Sequence, residues 1–297
     1  MRGEALRRRL EAIGAAFGPR WLPSDPVELV RALPDGGDRE IAAFLASALA
    51  YGNVVQIRRS VEEVLRRMDG RPRIFLERLE PGRARRAFEG FVHRFHRAED
   101  LASLAWTLAG MIRRSGTLEG FFREGASGGA PALREGLVSF STRALALDDG
   151  GLRRRGGLRF FFPSPAGGSA CKRLCLFLRW VVRPDDGVDL GLWTCLRPSA
   201  LVLPLDVHLG RLARCLGLTR YRTPGWKAAE EATAALRRLD PEDPLRFDFA
   251  LCRFGMLARC PRPSAGHPCP ACPRRRKGGA GRGRFAHLAE PLLSPAI

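Results

Sequence analysis

The sequence predicts an all-α protein, and three observations carry that reading. Apolar residues recur at helical spacing through most of the chain, and no convincing alternating strand run interrupts them. Gly, Asp, Asn and Pro clusters punctuate the periodic stretches at lengths that helices prefer. The 297 residues are 45% apolar, enough to bury one large core or two modest ones.

The elements follow in order. Residues 38–68 read as two helices. Ile41 to Tyr51 is rich in small apolar residues that allow close packing, Gly52-Asn53 breaks it, and Val54 to Met68 is amphipathic. Residues 83–123 hold two further helical stretches, split near Ala98-Glu99-Asp100, and Gly125 to Pro131 is a loop. A helix from about Ala132 to Leu147 precedes the Asp148-Asp-Gly-Gly151 turn. The turn Pro163 to Ser169 leads into a helix whose Leu174, Phe177, Leu178 and Val181 keep i, i+3, i+4, i+7 spacing. At about 100° per residue, Lys172, Arg179 and Arg183 share the opposite face. The next helix starts at Pro204-Leu-Asp206 and buries Leu205, Leu209, Leu212 and Leu216. Another runs from about Trp226 to Leu239. The last has Asp243 as N-cap, Pro244 in its first turn, and an apolar stripe of Leu245, Phe249, Cys252 and Met256.

Fifty Lys and Arg against 31 Asp and Glu leave a formal charge of +19, which points to a polyanionic partner. Nucleic acid comes first and an anionic membrane second. The charge is discounted because Arg, Gly and Ala enrichment also follows from a GC-rich genome. No run of about eighteen apolar residues predicts a membrane span, and the N-terminus has no apolar stretch resembling a secretory signal. The expected setting is the cytoplasm, where the eight cysteines are reduced thiols or metal ligands. The expected partner is DNA, or RNA, with no membrane, and the chain is expected to act as a monomer.

Two segments carry chemistry. The run Pro204-Leu-Asp-Val-His-Leu-Gly-Arg-Leu-Ala-Arg-Cys-Leu-Gly-Leu218 resembles a segment of the helix-hairpin-helix DNA glycosylases, including the endonuclease III-like enzymes. In that superfamily the Asp is the essential carboxylate, so the resemblance assigns the role to Asp206. Cleavage of an N-glycosidic bond develops positive charge on the sugar, and a fixed carboxylate opposes it. Read from spacing alone, Asp206 is a helix cap, and the two roles are compatible. The second segment is Gly167-Gly-Ser-Ala-Cys-Lys-Arg173. In bifunctional members of the superfamily a glycine hairpin grips a DNA phosphate through backbone amides, and a Lys just inside the next helix attacks the sugar. The resemblance therefore gives Gly167, Gly168 and Ser169 to DNA and makes Lys172 the nucleophile. A lysine attacks as the neutral amine, a form favoured by partial burial and by neighbouring cations such as Arg173. The alternative is an ordinary solvated lysine.

Lys172 stands four residues after Gly168 rather than two, and the interval to Asp206 is longer than in endonuclease III-like enzymes. Those features are closer to the archaeal 8-oxoguanine glycosylases. The elements Ser-Ala-Cys-Lys-Arg-Leu, Phe-Leu-Arg-Trp, Pro-Leu-Asp-Val-His and Phe-Asp-Phe-Ala-Leu resemble most closely a bacterial family allied to this superfamily. The implied fold is a two-lobed helix-hairpin-helix glycosylase-like one with an inserted helical segment. Residues 1–67 supply N-terminal helices to its core, 68–150 form the insertion, and 151–258 carry the hairpin and the catalytic pair. Residues 259–297 are expected to be a Cys-containing loop and a basic, low-complexity, disordered tail.

Other polar groups extend the DNA-facing set: Arg173, Arg179, Arg183, His208, Arg211 and Arg214. His208 either orients the carboxylate or is structural, and Arg211 and Arg214 either touch phosphate or are solvated. Trp180 and Trp193 are candidates to stack an extruded base, against the plainer alternative of core aromatics. Asn53 and Gln56 fall where glycosylases place a turn that fills the gap left by a flipped base; a helix break explains them equally well. Cys252, Cys260, Cys269 and Cys272 lie where endonuclease III-like enzymes carry an iron–sulfur cluster, although no cysteine follows Cys272. Three readings stay open: a cluster, a zinc site from Cys260, His267, Cys269 and Cys272, or no metal. The proposed chemistry requires no cofactor. The implied activity is excision of an oxidised base such as 8-oxoguanine, with an added lyase step. The alternative is a non-catalytic DNA- or RNA-binding protein on the same fold.

Overall fold

A helix that is apolar on one stripe needs a partner for that stripe, and the chain answers this with helices stacked on helices. A computed structural model of the protein describes residues 3–34, 36–125, 133–152 and 157–257. The N-terminal part holds α1 (Gly3–Ala16), α2 (Val27–Arg31), α3 (Gly36–Ala48) and α4 (Val54–Arg67). Then come α5 (Pro72–Glu77), α6 (Pro81–Ala87), β1 (Val92–His93), β2 (His96–Arg97), α7 (Ala98–Ser115), α8 (Leu118–Arg123) and α9 (Leu133–Ala146). The C-terminal part holds α10 (Gly157–Phe161), α11 (Lys172–Val182), α12 (Val207–Leu216), α13 (Trp226–Arg237) and α14 (Asp248–Leu257). The described chain is therefore mostly helical, and none of its helices is long and apolar enough to cross a membrane.

The alanine-rich α3 lies at the centre because its small side chains let α2, α4, α5 and α11 approach it closely. Phe44 on α3 meets Phe140 of α9, Phe162, and Phe177 of α11, with ring centroids 5.2–6.3 Å apart. Residues 68–150 feed the same core, since α7 packs on α5, α6 and α8, and α5 packs on α3. Inside this region Glu40 is buried and accepts the Leu118 and Glu119 amides and the Trp193 indole N–H at 2.7–3.1 Å. Burial raises its carboxyl above the usual carboxylate range despite those three donors.

Three local expectations change. Residues 92–97 form a two-stranded hairpin with Val92 opposite Arg97 and His93 opposite His96, a strand pair too short to leave an alternating pattern. Ala98-Glu99-Asp100 is the start of α7 rather than a break between helices, with the Arg97 amide donating to Asp100 Oδ2 at 2.9 Å. The last helix starts at Asp248, not at Asp243. The Asp243 carboxylate is occupied by the Arg183 guanidinium at 2.8–3.1 Å, so it does not cap, and residues 243–247 stay in turns.

The largest correction concerns α11. Lys172, Arg179 and Arg183 share an arc, but that arc is not a solvent face, because from Leu174 onward nearly every residue of α11 is buried. Arg179 is 2% exposed and bonds Asp189 at 3.1 Å and Asp248 at 2.5 Å. Arg183 is also buried and pairs with Asp186 at 3.0 Å, Asp243 at 2.8 Å, and Asp189. Burial alone would disfavour the charge of both arginines; the facing carboxylates outweigh it and hold both guanidinium groups above their ordinary values. Both arginines are spent inside the protein and neither presents its charge on the surface.

Removing one member of such a network leaves the others charged and dry. Arg179→Ala is expected to lower unfolding stability by about 3–5 kcal/mol, read from urea midpoints. A loss below about 1 kcal/mol would mean that Asp189 and Asp248 are solvated.

Candidate functional site

The turn ahead of α11 puts Lys172 where it can be used. Ser164 caps a short 3₁₀ turn, Gly168 takes φ +80°, and Ser169 Oγ accepts the Cys171 amide at 3.1 Å. Gly168 must be glycine for its backbone, and Gly225 for its space. A Cβ on Gly225 would sit 3.1 Å from the Gly168 carbonyl, which accepts the Trp226 amide at 3.0 Å. The start of α13 is thus docked on the turn. Cys171, in the left-handed region at φ 47°, begins α11 without a side-chain cap. Gly167, Gly168 and Ser169 are exposed beside this helix start. Cys171 and Cys175 are buried, and burial pushes the Cys171 thiol up to about 11.

Asp206 begins α12. Its Oδ1 accepts the Leu209 amide at 2.8 Å, the N-cap bond expected of an Asp at that position. Its Oδ2 faces Lys172, with Nζ at 3.5 Å. The Lys172 ammonium also donates to the Ala50 carbonyl at 3.4 Å. Both side chains are about 30% exposed, so the pair opens to solvent. One carboxylate serves two purposes: one oxygen closes a helix and the other addresses an amine.

The surroundings separate the predicted residues into those that join the pair and those that do not. His208 and Arg211 lie exposed on the first turns of α12, and Arg214 is half-buried. Neither arginine is ion-paired among the described residues. Arg173 points inward, donating to the Ala48 carbonyl at 3.2 Å and to the Phe160 carbonyl, with its guanidinium 3.4 Å over the Phe160 ring. Burial lowers it to about 10, and it is committed to protein rather than phosphate. Trp180 is fully buried and Trp193 nearly so, held by Glu40, so both tryptophans are core and not base-stacking surfaces. Asn53 Oδ1 caps α4 through the Val55 amide at 2.9 Å, while Gln56 is exposed with no hydrogen bond among the described residues.

Cys252 lies on α14, within electrostatic reach of Asp248, Lys172 and Asp206, and burial pushes its thiol up to about 11. Among the described residues no group of three or more His, Cys, Asp or Glu converges as a metal site. Cys260, His267, Cys269 and Cys272 lie outside the described residues.

An aromatic cluster beside the pair escaped the sequence reading, although the Phe160-Phe161-Phe162 run was a visible signal. Tyr51, next in the chain to Ala50, bonds His96 Nδ1 at 2.5 Å and donates to the His93 carbonyl at 3.2 Å. His93 Nδ1 meets Ser60 Oγ at 2.8 Å. Phe95 and Phe160 pack on Tyr51 with centroids 5.3 and 5.0 Å away. Burial lowers both histidines, His96 to about 4, so they stay neutral near pH 7.

Between about pH 6.5 and 4 the unfolded chain takes up a proton that folded His96 excludes, so stability falls as pH falls through that window. His96→Gln is expected to flatten this part of the stability–pH curve, checked by urea melts at pH 7 and pH 5. An unchanged slope would show that His96 titrates normally.

Residues 25–257 match the family described as a protein of unknown function (DUF2400). No curated protein and no solved structure matches.

Proposed function

The chain belongs to the DUF2400 family, and we propose that it is a DNA glycosylase with lyase activity on an oxidised base, acting through Lys172 and Asp206 on a helix-hairpin-helix glycosylase-like fold. One observation carries this reading: the amine and the carboxylate, far apart in sequence, stand 3.5 Å apart with both side chains about 30% exposed. A single sugar carbon can meet both groups. The turn at Gly167, Gly168 and Ser169, with uncapped amides at the start of α11, adds a place for a backbone phosphate. His208, Arg211 and Arg214 on α12 and the formal charge of +19 suit a polyanion.

In the proposed reaction Lys172 Nζ first gives up a proton to solvent, then forms a bond to C1′ of an extruded nucleotide while the C1′–N bond to the damaged base breaks. The base leaves with that electron pair and takes up a proton. Positive charge develops over C1′ and the ring oxygen, and the Asp206 carboxylate opposes it. The nitrogen bonded to C1′ passes a proton to O4′ as the C1′–O4′ bond opens, leaving a protonated imine to Lys172. Loss of a C2′ proton then expels the 3′ phosphate and cuts the strand. The N-cap bond to Leu209 fixes the carboxylate's orientation throughout.

Borohydride reduces such an imine and locks enzyme to DNA. Wild-type protein incubated with a duplex carrying 8-oxoguanine or an abasic site is expected to give a covalent adduct that Lys172→Ala abolishes. Asp206→Asn keeps the N-cap, because Asn caps as well as Asp, but removes the charge. It is expected to slow base excision on the order of 100-fold or more. No wild-type adduct on either duplex, or equal trapping by Lys172→Ala, overturns the lyase. Salt-sensitive binding that persists without any excision would instead identify a non-catalytic binding protein.

A further inference from the structure

The β1–β2 hairpin is fastened more firmly than a six-residue excursion needs for its own sake. His93 turns inward to Ser60 on α4, His96 turns inward to Tyr51, and Tyr51 also bonds the His93 carbonyl. At the tip Arg94 takes a left-handed conformation at φ 55°. Its side chain lies against Gly52, where an added Cβ would come within 2.9 Å of Arg94 Cδ. The hairpin is thus locked onto the α3–α4 turn from below and from the side.

What this anchoring presents outward is apolar. Phe95 is 59% exposed and Val92 53% exposed. The inner edge of the Phe95 ring rests on Tyr51, His96 and Phe160 with centroids 4.5–5.3 Å away, so the ring is braced rather than free to collapse. Arg94 and Arg97 flank it, both exposed, and neither guanidinium is paired to a carboxylate among the described residues. An aromatic tip flanked by two exposed cations, of which Arg97 donates to the Arg94 carbonyl at 3.0 Å, is complementary to a stack of bases between two phosphate backbones.

The tip also stands beside the candidate catalytic pair. Lys172 donates to the Ala50 carbonyl, Ala50 precedes Tyr51, and Tyr51 carries Phe95 on its face. A second route runs from Arg173, next to Lys172, over Phe160 to Phe95. We propose that Phe95 is a wedge that enters the base stack of duplex DNA next to the nucleotide delivered to Lys172, with Arg94 and Arg97 on the flanking phosphates. This inference rests on the DNA-acting reading above and moves the gap-filling role from Asn53 and Gln56, the sequence-based candidates, to a hairpin in residues 68–150. Asn53 is already committed to capping α4.

The test uses full-length protein and a duplex with an abasic-site analogue, 2-aminopurine being placed in the neighbouring base step. Entry of a wedge unstacks 2-aminopurine and raises its fluorescence. Wild type and Lys172→Ala are expected to raise it at least twofold, Phe95→Ala to leave it near the free-duplex level, and Phe95→Trp to restore the rise. Phe95→Ala is also expected to lose borohydride trapping about tenfold more on duplex than on single-stranded abasic DNA, where no stack is opened. Because Phe95 is exposed, unchanged circular dichroism and melting are expected for these variants, and Phe95→Leu provides a second truncation. A full fluorescence rise with Phe95→Ala, or none with a wild type that still binds and traps, overturns the wedge and leaves the glycosylase reading standing. Wild type that neither binds nor traps overturns the glycosylase reading itself.

Discussion

Arg179 on α11 and Arg183 at its C-cap are buried against Asp189, Asp248, Asp243 and Asp186, and the positions of Lys172 and Asp206 follow from that network. Helix α11 begins at Lys172, and its rotation is fixed seven residues later, where Arg179 must meet Asp189 and Asp248 together. Asp248 opens α14, which packs on α12, and α12 begins at Asp206. One chain of contacts therefore sets both the amine and the carboxylate. Buried ion pairs are weak sources of net stability, because desolvation cancels much of their attraction. Their value here is directional: a rotation of α11 by one residue would strand charges in the core, whereas a purely apolar helix buried on every side would tolerate several rotations.

The Lys172–Asp206 pair held on this frame economises on polar groups. Asp206 closes a helix with one oxygen and faces Lys172 with the other, so the capping bond orients the oxygen that meets the amine. Lys172 is steadied by the Ala50 carbonyl at the end of α3, and the next residue, Tyr51, carries the aromatic and histidine cluster that supports the hairpin. The site thus draws together α3, α11, α12 and the hairpin. Residues 68–150 are part of that assembly, because their helices share the core with α3 and their hairpin sits on the α3–α4 turn.

Interior arginines also change how the charge is understood. Arg173, Arg179, Arg183 and Arg253 are each engaged with carbonyls, carboxylates or rings inside the protein. Part of the +19 is therefore structural and answers to buried aspartates rather than to a partner. Arg211 and Arg214 on α12 and Arg94 and Arg97 on the hairpin, by contrast, have no carboxylate partner among the described residues.

Taken alone, the sequence determined the all-α class, most helix positions, the burial of Leu174, Phe177, Leu178 and Val181, and the capping role of Asp206. These depend on spacing and local hydrogen bonding, which are written along the chain. It also singled out Lys172 and Asp206, although through resemblance rather than geometry. Tertiary structure alone decided which arc of α11 meets solvent, since a helical wheel gives angles between residues and not the identity of the surface each arc touches. That is why Arg179 and Arg183 read as a DNA face and prove to be core, and why Asp243 read as a cap and proves to be an arginine's partner. The same holds for Trp180, Trp193 and the hairpin around Phe95: burial and presentation are set by residues distant in sequence, and no local pattern records them.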